Sequence, residues 1–338
     1  MLFRKNHLNE VLETTSASMD VFVPAIVDGT SRFALYGEQG EVTEPNFQLQ
    51  NTKIPPKGLL FPSTEKLYTW GKGPDGAFIN SALETPRPFV AFGVRPCDAA
   101  AIERMDQVFL SKGYIDEFYQ AKRNALTLVA MTCPRTSDAC FCDSMGQSPN
   151  AAPEADILLL EDNDAFEVHV QTERGQALAD AWKPFLEEGE VDRQPIECAT
   201  KVSMEGVAEN APWNVRQPFA GNEVSTACLT CGSCTFICPT CHCFDLSQAR
   251  KKRKKTPASV AGIAACSRTT HSWQAITTPG EQKRNRVRQR FMHKLCFFEE
   301  RYGKPLCVGC GRCLVDCPAS MDITAIIDRV NAEPAQKG

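Results

Sequence analysis

The chain has 338 residues, 43% of them apolar and 23% charged, an ordinary make-up for a soluble globular protein with room for two domains. No apolar stretch approaches the ~20 residues of a membrane helix, and the start, MLFRKNHLNEVLE, lacks the apolar core of a secretion signal. A cytoplasmic protein with no membrane segment is therefore expected. Net charge is −4 but uneven: thirteen Lys/Arg face one acid, Glu281, between Arg250 and Lys294. The 17 cysteines are the outlying feature. A chain this long needs no disulfide staples and shows no export signal, so thiolates that hold metal in a reducing compartment are the better reading.

In chain order, apolar and β-branched runs predict strands at Val21–Val27, Phe89–Val94, Leu126–Thr132, Asp156–Leu160 and Ala165–Val170. Ala99, Ile102, Met105, Val108 and Phe109 recur at helical spacing between the second and third runs, and a further helix is predicted over Gln176–Glu188. Strand, helix, strand implies a parallel pair with a crossover. Gly71-Lys-Gly73-Pro-Asp-Gly76 matches a dinucleotide fingerprint by letters. It lacks a buried strand before it, and Pro74 intrudes where a helix should begin, so a polar loop is expected. Residues 193–222, rich in proline and glycine, read as a linker. The expected division is an α/β domain over 1–215 and a helical two-cluster domain over 216–338, with a basic insertion at 244–296.

Two cysteine runs carry the chemistry. Cys228-Leu-Thr-Cys231-Gly-Ser-Cys234-Thr-Phe-Ile-Cys238-Pro239 and Cys307-Val-Gly-Cys310-Gly-Arg-Cys313-Leu-Val-Asp-Cys317-Pro318 both follow the C-x2-C-x2-C-x3-C-P spacing of [4Fe–4S] proteins. Three thiolates two residues apart let one loop wrap a cubane, and the fourth, a helical turn on, points at the other cluster. The expected ligand sets are Cys228, Cys231, Cys234 with Cys317, and Cys307, Cys310, Cys313 with Cys238. Zinc sites instead use cysteine pairs separated by a longer loop. The gap between the runs should hold helices. Arg312 stands inside the second run where the first has Ser233, which predicts a higher potential for the cluster of Cys307, Cys310 and Cys313.

Cys97 and Cys133 each follow a strand expected in the same parallel sheet, which places them on its carboxyl-end rim, where open α/β sheets bind ligands. Cys140-Phe-Cys142 comes one loop later, and together the four point to a third [4Fe–4S] cluster; the alternative is buried packing thiols. Cys198, Cys266 and Cys296 read as buried thiols, His242 as structural, and Cys241 and Cys243 as a pair beside the first run with no assigned role. Arg250–Lys255 and Lys283–Arg290 read as a solvated face, as a docking patch for an acidic partner or, lacking interleaved aromatics, less well as a nucleic-acid patch.

These motifs, with Phe61-Pro-Ser-Thr-Glu65, Gly93-Val-Arg-Pro-Cys97-Asp98, Asp106-Gln-Val-Phe109, Cys140-Phe-Cys142-Asp-Ser-Met-Gly146 and Cys238-Pro-Thr-Cys241-His-Cys243, resemble the 4Fe–4S dicluster subunits that include the iron–sulfur subunit of anaerobic sulfite reductases and the beta subunit of cytosolic sulfhydrogenase-type nickel–iron hydrogenases. An Arg-x-Trp-Asp-Ser-Cys-like segment of that family is replaced here by Cys266-Ser-Arg268-Thr-Thr-His271-Ser-Trp273. The resemblance implies an electron relay between a flavin subunit that uses NAD(P)H and a catalytic subunit of hydrogenase, sulfite reductase or heterodisulfide reductase type, with no substrate site here. Two competing functions are a self-contained flavin or thiol–disulfide reductase at the Cys97/Cys133 rim, and a redox-responsive nucleic-acid binder.

Overall fold

The computed structural model describes residues 1–37, 40–73, 76–207, 225–247, 258–265 and 282–332. The described strands are β1 (Leu2–Arg4), β2 (Asp20–Val27), β3 (Thr30–Leu35), β4 (Glu65–Gly73), β5 (Gly76–Ser81), β6 (Phe89–Val94), β7 (Leu126–Met131), β8 (Ile157–Glu161), β9 (Ala165–Val170), β10 (Asp245–Ser247) and β11 (Ala258–Ala265). Four helices of the first half are α1 (Leu8–Ser16), α2 (Pro96–Phe109), α3 (Glu117–Ala125) and α4 (Glu173–Ala181).

Seven strands form one mixed sheet in the order β1-β9-β8-β7-β6-β2-β3. Its centre is parallel, with Val21 beside Val90, Val90 beside Thr127 and Val129 beside Ile157, and its outer strands are antiparallel. Every residue of β6 and β7 is buried, as strands covered on both faces must be. One face packs Ala91, Leu126 and Leu128 under Ile102, Met105 and Phe109 of α2 and Tyr119 of α3. The other packs Val90, Phe92, Val129 and Ile157 under Val11 and Leu12 of α1, Leu178 of α4 and Trp182. All five predicted strands are present. The helix expected over 176–188 starts earlier and stops at Trp182, because Pro184 has no N–H with which to continue it; a 3-10 turn, Lys183–Phe185, follows.

At Gly93 the pairing of β6 with β7 shifts by one residue. The glycine has φ +84°, and a Cβ there would stand 2.5 Å from the Phe47 ring, so only glycine allows this bend where β6 meets the rim.

A second, antiparallel sheet runs β10-β11-β4-β5 and corrects two expectations. The segment expected as a polar loop at 71–76 is the end of a hairpin, with Gly73 opposite Gly76. The gap between the cysteine runs is not all helical: it contributes β10 and β11, and β11 pairs with β4, so the two halves share a sheet across residue 215. Gln282–Met292, a π turn at His293–Phe297 and Phe298–Tyr302 form one continuous helical rod, packed with the helix Ile323–Ala332 around Phe291, Leu295, Ile323 and Ile327. Val207 belongs to that core, and Cys198 is buried, so residues 193–207 of the expected linker form a packed strap; its remainder, 208–222, lies outside the described residues. Among the described residues no helix is long and apolar enough to cross a membrane.

Candidate iron–sulfur centres

The two cysteine runs fold alike. Thr230 and Gly309, two residues into each run, have φ +55° and +63°, and Gly232 and Gly311 have φ +75° and +74° before one-turn helices, Ser233–Phe236 and Arg312–Val315. This turn-and-helix unit puts three thiols around a loop and carries the fourth away from it. The fourth cysteines cross over. Cys317 joins Cys228, Cys231 and Cys234 in the lining of one pocket, and Cys238 joins Cys307, Cys310 and Cys313 in the lining of a second. Ser233 donates to Asp316, and Lys53 pairs with the same carboxylate at 2.5 Å, tying the runs together.

The pockets are apolar and positively charged. Burial pushes the Cys310 thiol up to about 12 and the Cys313 thiol up to about 11. Arg290 and Lys294, both buried, come off the rod Gln282–Tyr302. Lys294 donates to Cys238 Sγ at 3.1 Å and to Thr240 Oγ1 at 2.6 Å. Arg290 lines both pockets, and among the described residues its Nε has no hydrogen-bond partner. Among the described residues neither cation pairs with a carboxylate. Backbone N–H groups point at sulfur too, from Thr230 to Cys228 at 3.4 Å and from Met321 to Cys317 at 3.2 Å. Buried cations and donors aimed at thiols suit an anionic iron–sulfur core, whereas they would be costly around empty thiol pockets.

Arg312 does not stand alone beside the second pocket. Its guanidinium makes a two-point pair with Asp98, 2.7 Å at each contact, and both side chains are 2% exposed or less. Asp98 offsets part of its charge at Cys310, while Arg290 and Lys294 supply the positive field at Cys307 and Arg290 that at Cys313.

The segment Arg95-Pro-Cys97-Asp98 starts α2 and serves both halves of the chain. Arg95 ties down the strap of residues 47–49 through the Phe47 and Leu49 carbonyls, Pro96 opens the helix, and Asp98 holds Arg312. Cys97 lines a third pocket with Cys133, Cys140 and Cys142, walled also by Gln50, Asn51, Gly309 and Cys310. Phe141 N–H donates to the Gly309 carbonyl at 2.9 Å, and a Cβ on Gly309 would stand 2.5 Å from the Phe141 carbonyl oxygen. Only a glycine lets the second run lie this close to the Cys140–Cys142 loop. Cys198 Sγ is 3.5 Å from Cys142 Sγ. Burial pushes Cys133 up to about 11 and Cys97 well above the ordinary range, the reverse of what a thiol–disulfide enzyme needs in its nucleophile.

Residues 227–321 match the family described as a 4Fe-4S dicluster domain. The sulfhydrogenase 2 subunit beta of Pyrococcus furiosus is 26% identical over 324 residues, covering 92% of each chain. The C-terminal part of the chain carries a 4Fe–4S dicluster domain, and the chain as a whole is similar to a sulfhydrogenase beta subunit. No solved structure matches it.

Several features around the dicluster domain escaped the sequence. Lys294 and Arg290 lie in and beside a charge run that reads as a solvated face, yet Arg290 is buried and Arg286 lines the first pocket. Arg250–Lys255 and Cys266 lie outside the described residues. His242 stands apart from the three pockets, its Nδ1 3.0 Å from the Thr240 carbonyl oxygen, and burial holds its pKa down at about 4, so it is neutral. Cys241 is buried and hydrogen-bonded to Cys238, its carbonyl held by Lys57 at 3.0 Å. Cys296 lies in the core of the helical rod. Among the described residues no three His, Cys, Asp or Glu side chains converge closely enough to hold a single metal ion. The cysteines ring pockets instead.

Proposed function

We propose that this chain relays single electrons between a flavin subunit that oxidises NAD(P)H and a catalytic redox subunit of hydrogenase or sulfite reductase type. Two [4Fe–4S] centres carry the relay, one held by Cys228, Cys231, Cys234 and Cys317, the other by Cys307, Cys310, Cys313 and Cys238. The observation that carries this reading is the crossing of the fourth cysteines, which turns two sequence runs into two four-thiol pockets. The match to a hydrogenase beta subunit over 92% of its length supports the assignment of partners.

Bound clusters supply one-electron transfer, and the surrounding residues set its driving force. Arg290 and Lys294 offset the negative charge of thiolate-ligated cores, and the Thr230 and Met321 amides withdraw density from sulfur. Cys231 is exposed and Leu229 beside it is 64% exposed, so the first pocket is the one that opens to solvent and can meet a partner. Arg312 and Asp98 tie the second pocket to α2.

Anaerobic EPR on single Cys→Ser variants tests the ligand sets. Cys317→Ser is expected to alter the same signal as Cys228→Ser, and Cys238→Ser the same signal as Cys307→Ser. If Cys317→Ser follows Cys307→Ser instead, the crossed arrangement is wrong. Anaerobic affinity purification is expected to retain a flavin-containing partner that oxidises NAD(P)H. Protein that purifies alone and is reduced directly by NAD(P)H overturns the relay.

A further inference from the structure

We propose that Cys97, Cys133, Cys140 and Cys142 hold a third [4Fe–4S] cluster, stationed at the carboxyl-end rim of the large sheet and sharing a wall with the pocket of the second cysteine run. The family description speaks of two clusters within 227–321, and all four of these cysteines lie outside that span.

Four observations converge. The thiols come from three separate pieces of chain, the first turn of α2, the end of β7 and the Cys140-Phe-Cys142 loop, yet all four line one pocket. Packing thiols have no reason to gather this way from separate elements, whereas cluster ligands must.

The charge around the pocket is the second. Arg95 is buried and donates only to carbonyls, those of Thr132 at 2.7 Å, Leu49 at 2.7 Å and Phe47. Arg193 reaches the Cys133 carbonyl and the Thr132 hydroxyl. Among the described residues neither guanidinium forms an ion pair with a carboxylate. Two cations satisfied only by neutral oxygens beside four thiols leave positive charge that an anionic, thiolate-ligated core would balance.

Third, Gln50 Nε2 donates toward Cys140 Sγ at 2.6 Å, and the Ser137 hydroxyl shares a hydrogen bond with the same sulfur at 3.6 Å.

The fourth is the size of the site. Among the described residues no three ligands close around a single metal ion, which separates this pocket from a zinc site.

Cys310 lines both this pocket and that of the second run, so the third centre sits one thiol away from the second. Arg290 in turn lines the pockets of both C-terminal centres. The three sites therefore form one row from the sheet rim to the exposed Cys231. Cys198, whose sulfur is 3.5 Å from that of Cys142 but lies outside the pocket lining, is a hydrogen-bonding neighbour and not a ligand.

The placement in a row rests on the proposed C-terminal centres; the third site does not. Iron and acid-labile sulfide are to be counted on the anaerobically isolated full-length chain. About twelve iron atoms per chain are expected, and about eight would show that the third site is empty while leaving the two-centre relay intact. Cys133→Ser and Cys142→Ser are each expected to lose about four iron atoms per chain and to spare the two C-terminal EPR signals, whereas Cys198→Ser retains all of them. Unchanged iron in both ligand variants, or one zinc per chain, overturns the proposal. The wild-type count needs no substitution, so it stands even if a variant fails to fold.

Discussion

Substituting Asp98 by alanine is expected to destabilise the folded chain by about 3–5 kcal/mol, the cost of breaking a buried ion pair and leaving one partner unmatched. The geometry places the pair in that class: two contacts of 2.7 Å, side chains 1–2% exposed, and Arg312 Nε on the Thr52 carbonyl at 2.6 Å. Without Asp98 the guanidinium keeps a single carbonyl partner in an enclosed site. A loss of that size is a large share of the ~5–15 kcal/mol that holds a typical domain. The pair also ties α2 to the second cysteine run, alongside Arg104 to the Pro305 carbonyl at 2.8 Å and Lys304 to Glu103 at 2.8 Å. The lesion should therefore appear first as loss of iron from the second centre. The double variant Asp98→Ala, Arg312→Met is expected to recover most of the stability, since it removes the orphaned charge. Anaerobic urea unfolding of the three proteins checks this. A single variant within about 1 kcal/mol of the parent shows that the pair is not needed for stability.

What could be read in advance follows the range of the interactions. The ferredoxin runs are local, and their spacing alone gives the turn, the helix and the crossing of the fourth thiol. Cys97 and Cys133 could be placed on one rim because β6 and β7 are continuous apolar runs that sit side by side, each with its carboxyl end at the same edge. The second sheet could not be read, because β4 pairs with β11 almost two hundred residues later, and Tyr68, Trp70 and Lys72 show no clean division into an apolar and a polar face. The strap at 193–207 looked like a linker because its composition is a linker's. Its order comes from distant partners: Asn150 to Ile196 in both directions, Arg193 to Cys133, and Cys198 to Asp143. Arg312 was legible as a charge beside a cluster motif. What could not be read is its partner Asp98, which offsets part of that charge and lies 214 residues away. The arginine-rich run around Arg290 misled for the opposite reason. Dense positive charge is read as solvated unless an anion inside the protein is known to need it, and the proposed anion would be built from cysteines of both runs.

Arg290→Met is expected to lower the reduction potentials of both C-terminal centres, each by about 120 mV. A cation stabilises the more negative, reduced core, so its loss makes reduction harder. One unit charge over a distance on the order of 6 Å, in an effective dielectric near 20, is worth about 3 kcal/mol. At about 59 mV per factor of ten in a one-electron couple, this corresponds to about 120 mV. Arg290 qualifies because it lines both pockets, has no carboxylate partner among the described residues, and is held above its ordinary pKa chiefly by the surrounding thiolates, against the opposing effect of burial. Methionine keeps an apolar side chain of similar reach while removing the guanidinium, whose Cζ lies 5.0 Å from the Phe291 ring centroid. Lys294→Met removes a charge that donates to Cys238 and Thr240, so it should shift the second centre more than the first. Potentiometric EPR reads both signals in the same sample. Equal shifts for Arg290→Met with unequal shifts for Lys294→Met place Arg290 between the two centres; a change below about 30 mV in both signals would mean that solvent, not this arginine, sets the field they feel.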